Sequence, residues 1–101
     1  MPTETYMNQG AIEVQIISAS WCKRCGTVKP DVAKFCGMNG AVFTEVDYDA
    51  MDDGAEKDTV KSLPTIRMRL SPSAPWFTYT ADTLDIWKSD IVRLAPADMD
   101  F

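Results

Sequence analysis

Cys22 and Cys25, three residues apart, are the side chains of this sequence best suited to chemistry, and a third thiol, Cys36, follows eleven residues after Cys25. Three cysteines cannot all pair within one chain, so a disulfide-stapled secreted scaffold is excluded. In a reducing compartment the close spacing points to redox chemistry or to a metal site. Zinc knuckles use this spacing twice and the second pair is missing, so a metal site fails on ligand count. Histidine is absent, which removes Ser-His and Cys-His catalysis and the commonest metal ligand. Along a helix, Cys36 lies roughly 16 Å beyond Cys25 at 1.5 Å per residue, outside the disulfide range of about 4.4–6.8 Å between Cα atoms. Its expected place is the core, as a buried thiol.

The elements around the pair follow from the apolar periodicity. From Ala11 to Ser18, Ile12, Val14 and Ile16 alternate with Glu13 and Gln15 and predict a strand with a strongly buried face. It runs directly into Trp21-Cys22-Lys23-Arg24-Cys25. Beyond it Cys25, Val28, Val32, Phe35 and Cys36 fall at helical spacing, with Gly37 and Gly40 to stop the helix and Pro30 to kink it. Ala41 to Asp47 reads as a second strand, and Asp53 to Ser62 as a helix on a thin stripe of Ala55, Thr59 and Val60. Leu63-Pro64-Thr65 opens a third strand, in which Ile66, Met68 and Leu70 face the core and Arg67 and Arg69 face solvent. Ser71 to Pro75 is a loop, Trp76 to Thr80 an antiparallel partner strand, and Asp82 the cap of a last helix with Leu84, Trp87, Ile91 and Leu94 on its apolar face and Pro96 past its end. The order β-α-β-α-β-β-α predicts an α/β fold, a mixed sheet with helices on both faces.

That order sets Cys22 at the carboxyl end of a strand and the amino end of a helix. Unpaired backbone N–H groups and a partial positive charge there favour the thiolate, the form that attacks disulfides. Cys25, one turn on, is the more enclosed, so Cys22 is expected as nucleophile and Cys25 as resolver. Lys23 and Arg24 put two cations where the helix macrodipole disfavours positive charge, a local violation expected at a functional site. Their field should favour the Cys22 thiolate further and make the pair more oxidising.

The 101 residues suit one domain spanning 1–101, and 46% hydrophobic with 25% charged residues describes an ordinary globule. Ten basic against fifteen acidic residues give a charge of −5, which argues against nucleic acid as a partner. No apolar run approaches a membrane span of roughly 18 residues, and Met1-Pro2-Thr3-Glu4 carries no leader pattern, so a cytoplasmic protein is expected. The acids Glu45, Asp47, Asp49, Asp52, Asp53, Glu56 and Asp58 do not keep calcium-loop register, because Met51 and Val60 fall where carboxylates are needed; they read as a solvated face. Trp76, Phe77, Tyr79 and Trp87 read as core. Without a Gly-rich dinucleotide fingerprint no bound cofactor is expected, and electrons must come from a partner, a reductase or glutathione.

Ala19-Ser20-Trp21-Cys22-Lys23-Arg24-Cys25, then Pro30, then Leu63-Pro64-Thr65, occur in the order that marks the thioredoxin family, and the chain resembles that family from about Ala11 to Leu94. The resemblance implies a thioredoxin-like fold and a protein-disulfide oxidoreductase serving cell redox homeostasis and electron transport, with disulfide-containing proteins as substrates. It implies that Pro64 is a cis-proline facing the cysteines, that Leu63 offers backbone groups to a substrate strand, and that Trp21 belongs to the docking surface. Three departures stand out. Lys23-Arg24 replace the family's usual Gly-Pro, Ile16 falls where thioredoxins usually carry a buried aspartate, and only about ten residues precede the first strand, a trimming seen in glutaredoxins. Trp21 before Cys22 and the lack of a Gly-Gly pair before Asp82 weigh against glutathione recognition, which stays as the alternative beside a non-catalytic binding subunit.

Overall fold

The alternation of Val14 and Ile16 with Glu13 and Gln15 builds β1 (Glu13–Ser18), the strand on which the rest of the sheet is assembled. The computed structural model describes residues 12–94. After β1 come α1 (Lys23–Met38), β2 (Val42–Asp47), a 3-10 turn (Tyr48–Ala50), α2 (Ala55–Asp58), β3 (Thr65–Arg69), β4 (Phe77–Thr80), a second 3-10 turn (Ala81–Thr83) and α3 (Leu84–Leu94). The sheet order is β2-β1-β3-β4, with β1 parallel to β2 and antiparallel to β3, and β3 antiparallel to β4. The β-α-β-α-β-β-α order and the mixed four-stranded sheet are those expected. Pro96 and the segment before the first strand lie outside the described residues.

Register decides which side chains share a face. Ile16 opposes Ile66 and Val14 opposes Met68, and these four meet Val28, Val32 and Cys36 of α1 and Trp87 and Ile91 of α3 in one apolar cluster. Both long helices therefore cover the same face. Each such side chain, taken fully out of water, contributes about 1.5–3 kcal/mol. Tyr79 closes the cluster on β4, and its hydroxyl donates to Asp90 of α3 at 2.8 Å. Burial and this bond push the Tyr79 hydroxyl up to about 12, and the Arg93 guanidinium beside Asp90 holds its carboxyl below the usual range.

The second face buries Ile17 beside Val46 at one end and is polar at the other, and only the short α2 reaches it. Glu13 opposes Arg69 and Gln15 opposes Arg67. Arg69 donates to Glu13 at 2.7 Å, and Arg67 donates to Gln15 and, at 2.9 Å, to Glu56 of α2. The Trp76 ring lies under both guanidiniums, at 5.1 and 4.3 Å. Arg67, expected to face solvent, is only 7% exposed. A cleft lined by Ala50, Met51, Asp52 and Glu56 adjoins it, and a charge so enclosed persists because Gln15 and Glu56 take its donors. Trp76 and Phe77 do not join the core. Trp76 serves the two arginines, and Phe77 on the edge strand β4 is 42% exposed.

Three helix boundaries differ from expectation. Gly37 does not stop α1, which runs unbroken through Pro30 to Met38. It ends where Gly40 takes φ +69 and the Ala41 N–H returns to the Cys36 carbonyl at 2.9 Å, the six-to-one bond of a Schellman turn. The helix expected over Asp53–Ser62 shrinks to the four residues of α2. Its N-cap, Gly54, has no side chain to cap it, and the Thr59 hydroxyl turns back onto the Glu56 carbonyl at 2.7 Å. Asp82 does not cap α3. The chain turns earlier, the Thr80 N–H donating to the Thr83 hydroxyl at 2.8 Å, and Asp82 stays exposed within the turn.

Candidate active site

β1 ends at Ser18 and the chain turns at once, the Cys22 N–H donating to the Ala19 carbonyl at 3.1 Å. That turn makes Cys22 the N-cap of α1. Its sulfur accepts the Cys25 N–H at 3.2 Å, so one of the helix's unpaired donors points at that sulfur. Cys22 and Cys25 are joined as a disulfide with Cα atoms 5.3 Å apart. Cys22 is half-buried and Cys25 is 2% exposed. Cys36 is free and buried in the main cluster, and burial pushes its thiol up to about 12. Enclosure of this kind disfavours the thiolate of Cys36.

Two clefts flank the pair. One, of about 250 Å³, is lined by Trp21, Cys22, Tyr48, Val60, Lys61, Ser62 and Leu63. The other, of about 400 Å³, brings Cys22 and Cys25 together with Ser18, Lys29 and Glu45, and Lys29 pairs with Glu45 at 3.3 Å. The Leu63–Pro64 peptide is cis and Pro64 is buried. Trp21 is 64% exposed, and its indole N–H donates to Asp49 at 2.9 Å. Arg24 donates to the Leu63 carbonyl at 3.4 Å, while Lys23 is exposed. Ile16 is fully buried in the main cluster and is not among the residues lining either cleft. The structure thus gathers Trp21, Cys22, Arg24 and Leu63 on one surface, with Cys25 behind them and Ile16 deep in the core.

Asp49, Lys61, Lys29 and Glu45 are site residues that sequence reasoning passed over. Asp49 had been one acid among seven on a solvated face. All seven are exposed, yet Asp49 orients the tryptophan, and Glu45, Asp53 and Glu56 carry ion pairs. Asp53 pairs locally with Lys57, whereas the partners of Asp49, Glu45 and Glu56 lie 11 to 28 residues away in sequence, beyond any local pattern. Among the described residues no helix is long and apolar enough to cross a membrane.

Comparison with known proteins adds family context. The Thioredoxin family profile matches residues 6–84. The chain is similar to the thioredoxin of Coprinus comatus, with 33% identity over 64 residues, 60% of each chain. It is also similar to an H-type thioredoxin of Oryza sativa subsp. indica, with 37% identity over 57 residues, 55% of this chain and 47% of that one. It therefore spans about half to three-fifths of the length of the curated relatives it matches. Among solved structures, the fold is similar to that of Fasciola hepatica thioredoxin, with a TM-score of 0.69 and 22% identity, covering 89% of this chain and 88% of that one. Reduced Schistosoma mansoni thioredoxin pre-protein gives 0.70 at 18% identity, covering 91% and 87%.

Proposed function

The chain belongs to the thioredoxin family, and from that premise we propose that it is a thiol–disulfide oxidoreductase acting on disulfides of other proteins. The observation that carries the reading is the redox pair itself: two cysteines closed as a disulfide at the N-terminus of α1, with the Cys25 N–H on the Cys22 sulfur.

In the reducing direction the Cys22 thiolate attacks one sulfur of the substrate disulfide. A new S–S bond forms, and the displaced substrate sulfur leaves as a thiolate and takes a proton. Cys25 then loses its proton to solvent in the cleft shared with Lys29 and Glu45 and attacks the Cys22 sulfur, releasing the second substrate thiolate. Two electrons pass to the substrate and the Cys22–Cys25 disulfide remains. Trp21 and Leu63 form the docking wall, with Pro64 setting the turn behind it. Ile16 offers no carboxylate to accept the Cys25 proton. Lys23 and Arg24 favour the thiolate of Cys22, and the potential is expected above the roughly −270 mV of thioredoxin and below the roughly −120 mV of a strong oxidase. One domain does this work in the cytoplasm, with a reductase or glutathione as the electron source.

The test is mixed-disulfide trapping. Cys22→Ser should abolish reduction of a protein disulfide driven by dithiothreitol, Cys25→Ser should accumulate a substrate adduct on Cys22, and Cys36→Ser should turn over nearly as the parent does. Alkylation of Cys25 or Cys36 ahead of Cys22 in the reduced protein would reverse the assigned roles, and absence of turnover in the parent would leave a binding module.

A further inference from the structure

The groove beside Cys22 has an unusual electrostatic rim. Of the ten lysines and arginines, all within the described residues, Lys29, Lys57, Arg67, Arg69, Lys88 and Arg93 form ion pairs elsewhere in the fold. Lys23, Arg24, Lys34 and Lys61 form none among the described residues. Three of these four border the redox site: Lys23 and Arg24 lie between the cysteines, and Lys61 lines the groove with Cys22 and Leu63. Against these three cations stands the Asp49 carboxylate, held by the indole N–H of Trp21 in the groove wall, so in a chain of charge −5 positive charge is in excess where a substrate must lie.

A second observation concerns Leu63. Neither its N–H nor its carbonyl has a main-chain partner among the described residues, and the residue sits in the groove with the sulfur. Such a pair of backbone groups, free of main-chain partners on a half-buried residue, is what an extended segment of another chain would bond. The carbonyl is nevertheless held, weakly, by Arg24 at 3.4 Å. A substrate strand that donates its own N–H to the Leu63 carbonyl competes with the guanidinium for that oxygen and, the existing bond being long, can draw it away. Arg24 is then left beside the bound strand, partly desolvated, with its forked donors open. A carboxylate satisfies that fork with two parallel bonds, whereas an amide or an alcohol cannot match its charge.

We infer that this groove selects disulfides flanked by acidic residues, and that Arg24 is the residue that reads the carboxylate as it leaves the Leu63 carbonyl. Lys23 and Lys61 add longer-range attraction. The inference rests on the oxidoreductase reading above and names its substrate class.

The experiment uses the pre-reduced protein and three peptides, each holding one intramolecular disulfide and differing only in a Glu, Gln or Lys next to the reacting cysteine. Single-turnover reduction rates are divided by those with dithiothreitol, which cancels each peptide's own reactivity. The Glu peptide should exceed the Gln peptide by roughly fivefold in dilute buffer, the scale of one partly exposed charge pair, and the Lys peptide should be slowest. The Glu-to-Gln ratio should fall below about twofold in Arg24→Gln, remain intermediate in Arg24→Lys, and shrink in 0.5 M NaCl as screening sets in. A change in redox potential would alter all three rates together and leave the ratio unmoved. Equal rates for the Glu and Gln peptides, or a ratio unchanged in Arg24→Gln, would overturn the inference and leave the oxidoreductase reading intact. Reduction of no peptide by the parent protein would overturn both.

Discussion

Raising the pH titrates the packing of α1 against the sheet, because Cys36 sits 1% exposed at the centre of that contact. Burial raises its thiol from 9.0 to about 12, so between these values the unfolded chain sheds a proton that the folded chain keeps. A folded-state value raised above the unfolded one gives stability that is fully present below pH 9 and is lost as the pH climbs towards 12. The slope is about 1.36 kcal/mol per pH unit, so Cys36 alone should cost roughly 3 kcal/mol at pH 11. A domain of this size has about 5–15 kcal/mol in hand, so the loss is readily measured. The assay is urea unfolding followed by tryptophan fluorescence at pH 8, 9, 10 and 11 in a Cys22→Ala/Cys25→Ala background, with and without Cys36→Ala. Subtracting the two series removes other alkaline titrations, including that of Tyr79, which the unfolded chain titrates near 10 and the folded chain only near 12. Cys36→Ala should be the less stable variant at pH 8, having lost a buried sulfur, and should close the gap as the pH rises. Parallel curves from pH 8 to 11 would mean that Cys36 ionises as freely in the folded chain as in the unfolded one, and would refute the enclosed-thiol argument.

Replacing Lys23-Arg24 with Gly-Pro should lower the reduction potential, by about 30 mV for each unit the Cys22 pKa rises, measured by equilibration against glutathione; an unchanged or higher potential would count against the cationic field. Ile16→Asp should destabilise the fold by several kcal/mol near neutral pH, since a carboxylate among Val28, Val32 and Ile66 must either ionise without a partner or stay protonated; equal urea midpoints at pH 4 and pH 7 would contradict this. Asp49→Ala should release the Trp21 indole and raise KM for a protein disulfide a fewfold with little change in kcat, and the Trp21 Nε1 resonance should move towards that of a solvated indole.

The redox pair was legible because its geometry is local. Cys22 and Cys25 lie within one turn of helix, and the strand before them and the helix after them carry clean apolar periods. Cys36 was legible for the same reason, as one more residue on the buried face of α1. Arg67 was misread because alternation tells the two faces of β3 apart but not what covers each. Its burial comes from neighbours beyond β3, with Glu56 on α2 and Gln15 on β1 taking its donors. Asp82 was misread because several polar residues compete for a helix start, and the Thr80–Thr83 bond brings the turn forward. Asp49 and the Arg24–Leu63 bond were invisible for a different reason: each joins residues far apart in sequence, 28 and 39 positions, whose meeting depends on the completed sheet.

The order β2-β1-β3-β4 draws a seam through the middle of the sheet. Everything on one side, β2, β1 and α1, comes from the first half of the described chain and holds both sulfurs. Everything on the other, β3, β4 and α3, comes from the second half, with the Leu63–Pro64 wall at its entrance. The paired cysteines therefore lie in one half, while the cleft beside Cys22 is completed by Val60, Lys61, Ser62 and Leu63 of the other. Parting β1 from β3 would open the apolar cluster, in which Val14 and Ile16 face Met68 and Ile66, together with that cleft.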